Sequence, residues 1–349
     1  MENESLRLNV SLLRRRVPNL TSAAKAVGLR PATVSNLCTG KISVGKSEVR
    51  TLVALADLAG CSLDELIIRG EKIEMIETKI KTLDLFAPLA KGGTVGLVAR
   101  KNMGQLVVLS EIFYRLKAQG VSTILLMPQG EYPELADVLG NAELVTHSID
   151  ETYEKIAALG SEKEIAFAAD RSHVVSGDIY DMQERLQQIG IDSVTTFLLD
   201  LTGNAVDEDL PYGPLETLWQ FDADLSARHC YPAVDPISST SSVLEGAHMD
   251  QNHFIIQQRA QKLLRRYREL RSLVNVNGLE KLPASEVMTF TRGERLEAYL
   301  TQPFYVAEEF TKKQGESVSL QETLKDVQAI LDGSFDQENV DRLRFIGKI

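Results

Sequence analysis

Between residues 91 and 230, four short apolar runs (94–98, 123–127, 165–169 and 194–199) alternate with amphipathic stretches long enough to form helices. Runs with no polar alternation fit strands buried on both faces, and an intervening helix is what parallel strands need in order to return. The pattern predicts an α/β fold built on a mostly parallel sheet. After about residue 248 such runs vanish, and Phe254, Leu263, Leu264, Tyr267, Leu270 and Leu273 keep helical spacing. Residues 5–70 read as short helices broken by Gly and Pro. The expected chain is multidomain: an all-α head (1–70), a short connector (71–77), an α/β domain (78–247) and a C-terminal helical domain (248–349).

A chain of 349 residues with 44% hydrophobic and 25% charged side chains is an ordinary globular composition, which excludes disordered and collagenous classes. No stretch reaches the roughly eighteen consecutive apolar residues of a membrane span, and Glu2 and Glu4 break the basic-then-apolar order of a signal peptide. The expectation is a cytoplasmic chain with no membrane partner. Cys38, Cys61 and Cys230 are odd in number and lack CxxC spacing, which fits a reducing compartment and no metal site. The net charge of -11 is uneven: residues 1–50 carry nine Lys/Arg against three Glu, leaving 29 basic and 46 acidic side chains for the rest. Phosphate contact needs local positive charge, so a basic head on an acidic body is compatible with DNA.

The head contains LTSAAKAVGLRPATVSNLCTGK at 20–41, where Ala24, Gly28 and Val34 take the fifth, ninth and fifteenth places of a helix-turn-helix unit. Ala24 is small where two helices cross, Gly28 suits the positive φ of the turn, and Pro31 fits a first helical turn. Arg30, Thr33, Ser35 and Asn36 are then left to reach base edges, and Arg14, Arg15, Arg16, Lys25, Lys41 and Lys46 are candidates for phosphate contact. With VRTLVALADLAGCSLDEL at 49–66, the segment resembles the lambda-repressor-like helix-turn-helix family of bacterial regulators. The resemblance implies double-stranded DNA as partner.

A second resemblance covers about residues 78–349. TKIKTLDLFAPLAKGGTVGL (78–97), MQER (182–185), DLTG (200–203), CYPAVDPISSTSS (230–242), RAQKLLRRYREL (259–270) and LTQPFYVAEEFT (300–311) are similar, in order, to the catalytic beta subunit of the rotary F-type ATP synthase. That likeness implies a RecA-like P-loop NTPase fold with a C-terminal helical domain. Where G-x-x-x-x-G-K-[ST] belongs, the chain has Ala99, Arg100, Lys101, Asn102, Met103, Gly104, Gln105 and Leu106. Gln105 replaces the Lys that neutralises phosphate charge, and Leu106 replaces the hydroxyl that ligates magnesium. Phosphoryl transfer is mostly electrostatic positioning, so the P-loop is degenerate and ATP hydrolysis is not expected.

Other positions keep family character. Glu131 falls on the carboxylate that orients the attacking water, and Asp170 on the magnesium-associated Asp at a strand end; both fit ordinary solvated carboxylates equally well. Tyr231, Phe304 and Phe310 match the aromatics that enclose adenine, and core packing is the alternative for all three. Arg100 and Lys101 offer replacement charge for phosphate. No cofactor is required, and ATP or ADP is the candidate ligand. The rotor-facing loops and the N-terminal barrel of the family are absent, and Ser242 stands where the family has Arg. The expected function is a DNA-binding transcriptional regulator whose body serves for oligomerisation, as a ring, spiral or dimer, and for nucleotide sensing. The alternatives are a DNA-associated P-loop ATPase, a motor or partition factor, against which the loop residues weigh, and a regulator that docks on ATP synthase subunits.

Overall fold

The computed structural model describes residues 6–17, 20–38, 42, 44–69, 73–128, 130, 132–191, 193–207, 212, 215–244 and 250–349, without the side chains of Arg7, Ser11, Arg14, Arg15, Thr21, Ser35, Ile68 and Arg69. The chain divides into two compact units, residues 1–74 with 242–250 and residues 75–241 with 251–349.

In the first unit, α1 (Val10–Arg16), α2 (Leu20–Ala26), α3 (Pro31–Cys38), α4 (Val49–Ala59) and α5 (Leu63–Leu66) enclose a core that includes Leu13, Ala24, Val34, Leu37, Leu55 and Leu66. Between α2 and α3, Gly28 holds φ +76°, a conformation that costs glycine nothing. Ser62 and Glu65 close a reciprocal capping box that starts α5. The head is not all-α, however. Strands β1 (Leu6–Leu8) and β2 (Ile67–Arg69) pair antiparallel, with Leu6 opposite Arg69 and Leu8 opposite Ile67. Three residues per strand are too few for a period of two to stand out in the sequence.

The second unit begins inside the expected connector, because β3 (Met75–Ile76) pairs with β4 (Leu89–Ala90) across α6 (Lys81–Phe86). The main sheet uses β5 (Thr94–Val98), β6 (Ser122–Leu126), β7 (Leu144–Thr146), β8 (Ile165–Asp170), β9 (Val194–Leu199), β10 (Thr217–Gln220) and β11 (Thr240–Ser241). Its order is β11-β10-β5-β9-β8-β6-β7, and only the β10–β11 pairing is antiparallel. This is a P-loop-like α/β arrangement followed by a helical region. Helices α7 (Gln105–Ala118), α8 (Ala136–Asn141), α9 (Ile149–Leu159), α10 (Ser172–Val175), α11 (Asp178–Gln188) and α12 (Ala223–Ala227) connect the strands.

Both sheet faces are packed, which explains the unbroken apolar runs. Along β8, Ala166 and Ala168 join a core with Leu97, Phe197 and Trp219, while Ile165, Phe167 and Ala169 join the opposite core with Ile124, Leu126 and Leu198. Helix α7 buries Val108, Leu109, Ile112, Phe113 and Leu116, the one-sided spacing of a helix lying on a sheet. The helical region contains α13 (Gln251–Asn277), α14 (Ala284–Leu300), α15 (Glu308–Thr311) and α16 (Leu320–Leu331). Leu264, Leu296, Tyr299 and Val327 from three of these helices meet Phe86 of α6 in one core. Among the described residues, no helix is long and apolar enough to cross a membrane.

Candidate functional site

Strand β5 delivers the chain to residues 99–104, and Gly104, at φ +87°, starts α7. This turn is where a P-loop would present backbone N–H groups to phosphate. Here the loop satisfies itself. The Arg100 N–H donates to Met103 Sδ (3.2 Å), and the Met103 N–H donates to Gln105 Oε1 (3.2 Å). Met103 and Gln105 are both buried, so the side chain that stands where lysine is expected acts as a brace inside the turn. The Arg100 guanidinium turns away and forms a two-point pair with Asp207 (2.8 and 3.3 Å).

The loop is also pressed from behind. Gly203 has φ +77°, and a Cβ there would lie 2.9 Å from the Lys101 backbone nitrogen. Replacing Gly203 with Ala is therefore expected to destabilise the fold by about 1–3 kcal/mol, because both the backbone and the neighbouring loop must yield. Urea unfolding followed by the fluorescence of Trp219, the single tryptophan, checks this; an unchanged midpoint would show that the contact is relaxed at no cost.

Carboxylates at the strand ends are held by backbone. Asp170 accepts from the N–H groups of Ser172 (3.0 Å) and Leu201 (3.1 Å), which ties the end of β8 to the segment after β9. Asp200 accepts from Thr202 N–H and Ala205 N–H (2.8 and 2.7 Å) and from the Thr202 hydroxyl. Burial alone would raise its pKa, but these hydrogen bonds hold it below the usual carboxylate range.

Beside the start of α7 lies a cavity of about 920 Å³, within the range of small-molecule sites. Of the residues expected from sequence, Lys101, Gln105, Tyr231 and Phe304 line it together. Tyr231 lies against Gly104, where a Cβ would stand 3.5 Å from the ring. Phe310 does not belong to the wall: it is 81% exposed on α15. Neither Arg100 nor Asp170 lines the cavity, and Glu131 lies outside the described residues. Another void, near Tyr267 and Arg268, measures about 30 Å³, room for roughly one water.

His229, Thr311, Lys313 and Phe345 also line it and are not among the site residues expected from sequence. Phe345 adopts φ +51°, and its N–H donates to Thr301 Oγ1 (2.7 Å). The next carbonyls, of Ile346 and Gly347, accept from the buried Lys81 ammonium (2.9 and 3.2 Å), which also reaches Tyr299 O. Burial pulls the Lys81 pKa down to about 7, against the opposing influence of Asp326 and Glu316. No spacing rule connects Lys81 with Phe345, so this part of the wall exists only once the core has formed.

On the head, Lys25, Arg30 and Lys46 are exposed, and Thr33 and Asn36 are half-buried on α3. Arg16 has another task. Its guanidinium donates to Gly60 O (2.8 Å) and Ala59 O (3.3 Å), so it caps the C-terminal end of α4 instead of standing free for phosphate. Lys41 and the side chains of Arg14, Arg15 and Ser35 lie outside the described residues.

Residues 244–338 match the family described as the C-terminal domain of V and A type ATP synthase. The match takes in α13 to α16, so the C-terminal helical region is ATP-synthase-like. The matching family is the V and A type, whereas the sequence patterns point to the F-type beta subunit; an ATP-synthase-like C-terminal domain is what the two have in common.

Proposed function

We propose that the chain is a sequence-specific DNA-binding protein, a transcriptional regulator, whose RecA-like, F-type-beta-like body does not hydrolyse ATP and serves for self-assembly. The observation that carries the DNA reading is the α2–Gly28–α3 unit on a segment of net +6, with Lys25, Arg30 and Lys46 exposed on it. In a helix-turn-helix of this kind, α3 enters the major groove while lysines beside it hold phosphates.

Supporting an inert body is the braced loop, in which two N–H groups that would face phosphate are engaged by Met103 and Gln105. Purified protein is expected to release no phosphate from Mg-ATP above background. Gln105→Lys with Leu106→Thr should not restore turnover, because Ala99 and Asn102 still deny the loop its glycine geometry. Steady magnesium-dependent turnover in the unmodified chain would replace this reading with that of a DNA-associated motor.

The match of residues 244–338 to an ATP synthase domain favours a second reading, a regulator that docks on the synthase itself. Recovery of synthase subunits with the tagged chain, lost when DNA binding is not, would favour it over the first.

A further inference from the structure

The cavity beside α7 keeps its volume while the turn at its edge has lost the means to hold a polyphosphate. Three rings, Tyr231, Phe304 and Phe345, line it, and such surfaces suit a flat apolar body. The first turn of α7 opens on the cavity through Gly104, Gln105, Leu106 and Val107, and the leading N–H groups of a helix have no acceptor within it.

Gln105 supplies an independent pointer. The residue is only 6% exposed, its Oε1 is occupied by the Met103 N–H, and its amide nitrogen has no partner among the described residues. Lys101 and Lys313 also line the cavity and form no ion pair among the described residues; Lys313 Nζ stands 4.8 Å from the centre of the Phe345 ring. Glu134 and Asp137 also line it, each in the first turn of a short helix, and their carboxylates likewise form no ion pair or hydrogen bond among the described residues. The lining carries charge of both signs, and what favours an anion is the start of α7 together with the Gln105 amide.

We propose that this cavity binds a flat, apolar monocarboxylate: its rings lie among Tyr231, Phe304 and Phe345, and its carboxylate accepts from the start of α7 and the Gln105 amide, with Lys101 and Lys313 supplying the counter-charge. The proposal rests on the preceding reading in one respect, that the loop's N–H groups are engaged by Met103 and Gln105 in place of phosphate. One carboxylate matches the donors of one helix end and one amide. A triphosphate would need the N–H groups that Met103 and Gln105 occupy and the hydroxyl that Leu106 lacks.

The test is calorimetric titration of the full chain with 2-naphthoate, 2-naphthylmethylamine and Mg-ATP. Naphthoate is expected to saturate at submillimolar concentration, and the cationic analogue to bind at least about tenfold more weakly. Lys313→Gln and Lys101→Gln, both at exposed positions and so expected to fold, should each weaken naphthoate by about threefold or more without weakening the naphthylamine. No naphthoate saturation at millimolar concentration, equal binding of the cation, or insensitivity to both lysine variants would each overturn the proposal and leave the inert-loop reading standing. Tighter binding of Mg-ATP than of naphthoate would overturn the proposal and the braced-loop argument it rests on.

Discussion

Replacing Glu111 with Ala is expected to lower the stability of the unit containing the sheet by about 3–5 kcal/mol, the usual loss when one partner of a buried ion pair is removed. Glu111 and Arg115 sit one turn apart on α7 with side chains 0% and 3% exposed, and Glu111 Oε1 accepts from Arg115 Nε at 2.7 Å. The carboxylate also accepts from the N–H groups of Tyr305 (3.3 Å) and Val306 (3.0 Å). Arg115 meanwhile donates to the carbonyls of Lys79 (3.0 Å) and Glu316 (2.7 Å) and to Ser317 Oγ (3.0 Å). Alanine at 111 would leave a buried cation and two N–H groups without acceptors. Glu111→Gln keeps an acceptor and should lose less. Because Trp219 is fully buried in the same unit, its fluorescence in urea follows that unit's unfolding; a loss below about 1 kcal/mol would mean that the pair contributes little beyond its shape.

Changes on the head should be as large in a different measurement. Lys25→Ala combined with Lys46→Ala is expected to weaken binding to every duplex alike and to flatten the slope of log K against log salt by about 2, since each lysine releases roughly one counterion. Arg30→Ala should instead cost about 1–3 kcal/mol at the preferred sequence and less elsewhere, with Asn36→Ala relaxing preference in the same sense. Fluorescence anisotropy with labelled duplexes at several salt concentrations separates the two effects. Unchanged affinity and slope in the double lysine variant would remove the head from the DNA contact.

The legible part of this fold is the part whose residues are buried on both sides. Strands β5 and β9 begin and end where their apolar runs do, and β8 extends one residue further, to Asp170, because its backbone still pairs with Leu199 of β9 after the run has ended. Strand β6 starts one residue early because Ser122, although polar, is buried and paired. Strands β7 and β10 escape notice because Thr146, Thr217 and Gln220 interrupt any apolar run. For the site, a family pattern locates Lys101, Gln105, Tyr231 and Phe304 without showing what they do. That Gln105 braces Met103, that Arg100 belongs to Asp207 and that Phe310 faces outward are matters of side-chain direction, which spacing does not encode. Lys313 and Phe345 reach the wall through the packing of distant segments, and only tertiary structure brings them there.

The pairing of β1 with β2 sets a clock on the head. Leu6–Leu8 leave the ribosome before α1 to α5, and Ile67–Arg69 follow only after these helices have been synthesised. At ~5–20 residues per second the first strand waits several seconds for its partner. Throughout that interval its backbone is an unpaired edge, open to the same strand on a neighbouring nascent chain of a polysome. Closure is thus the last local event in the making of the head, and a head cut after Leu66 would never reach it, whereas one cut after Glu74 would.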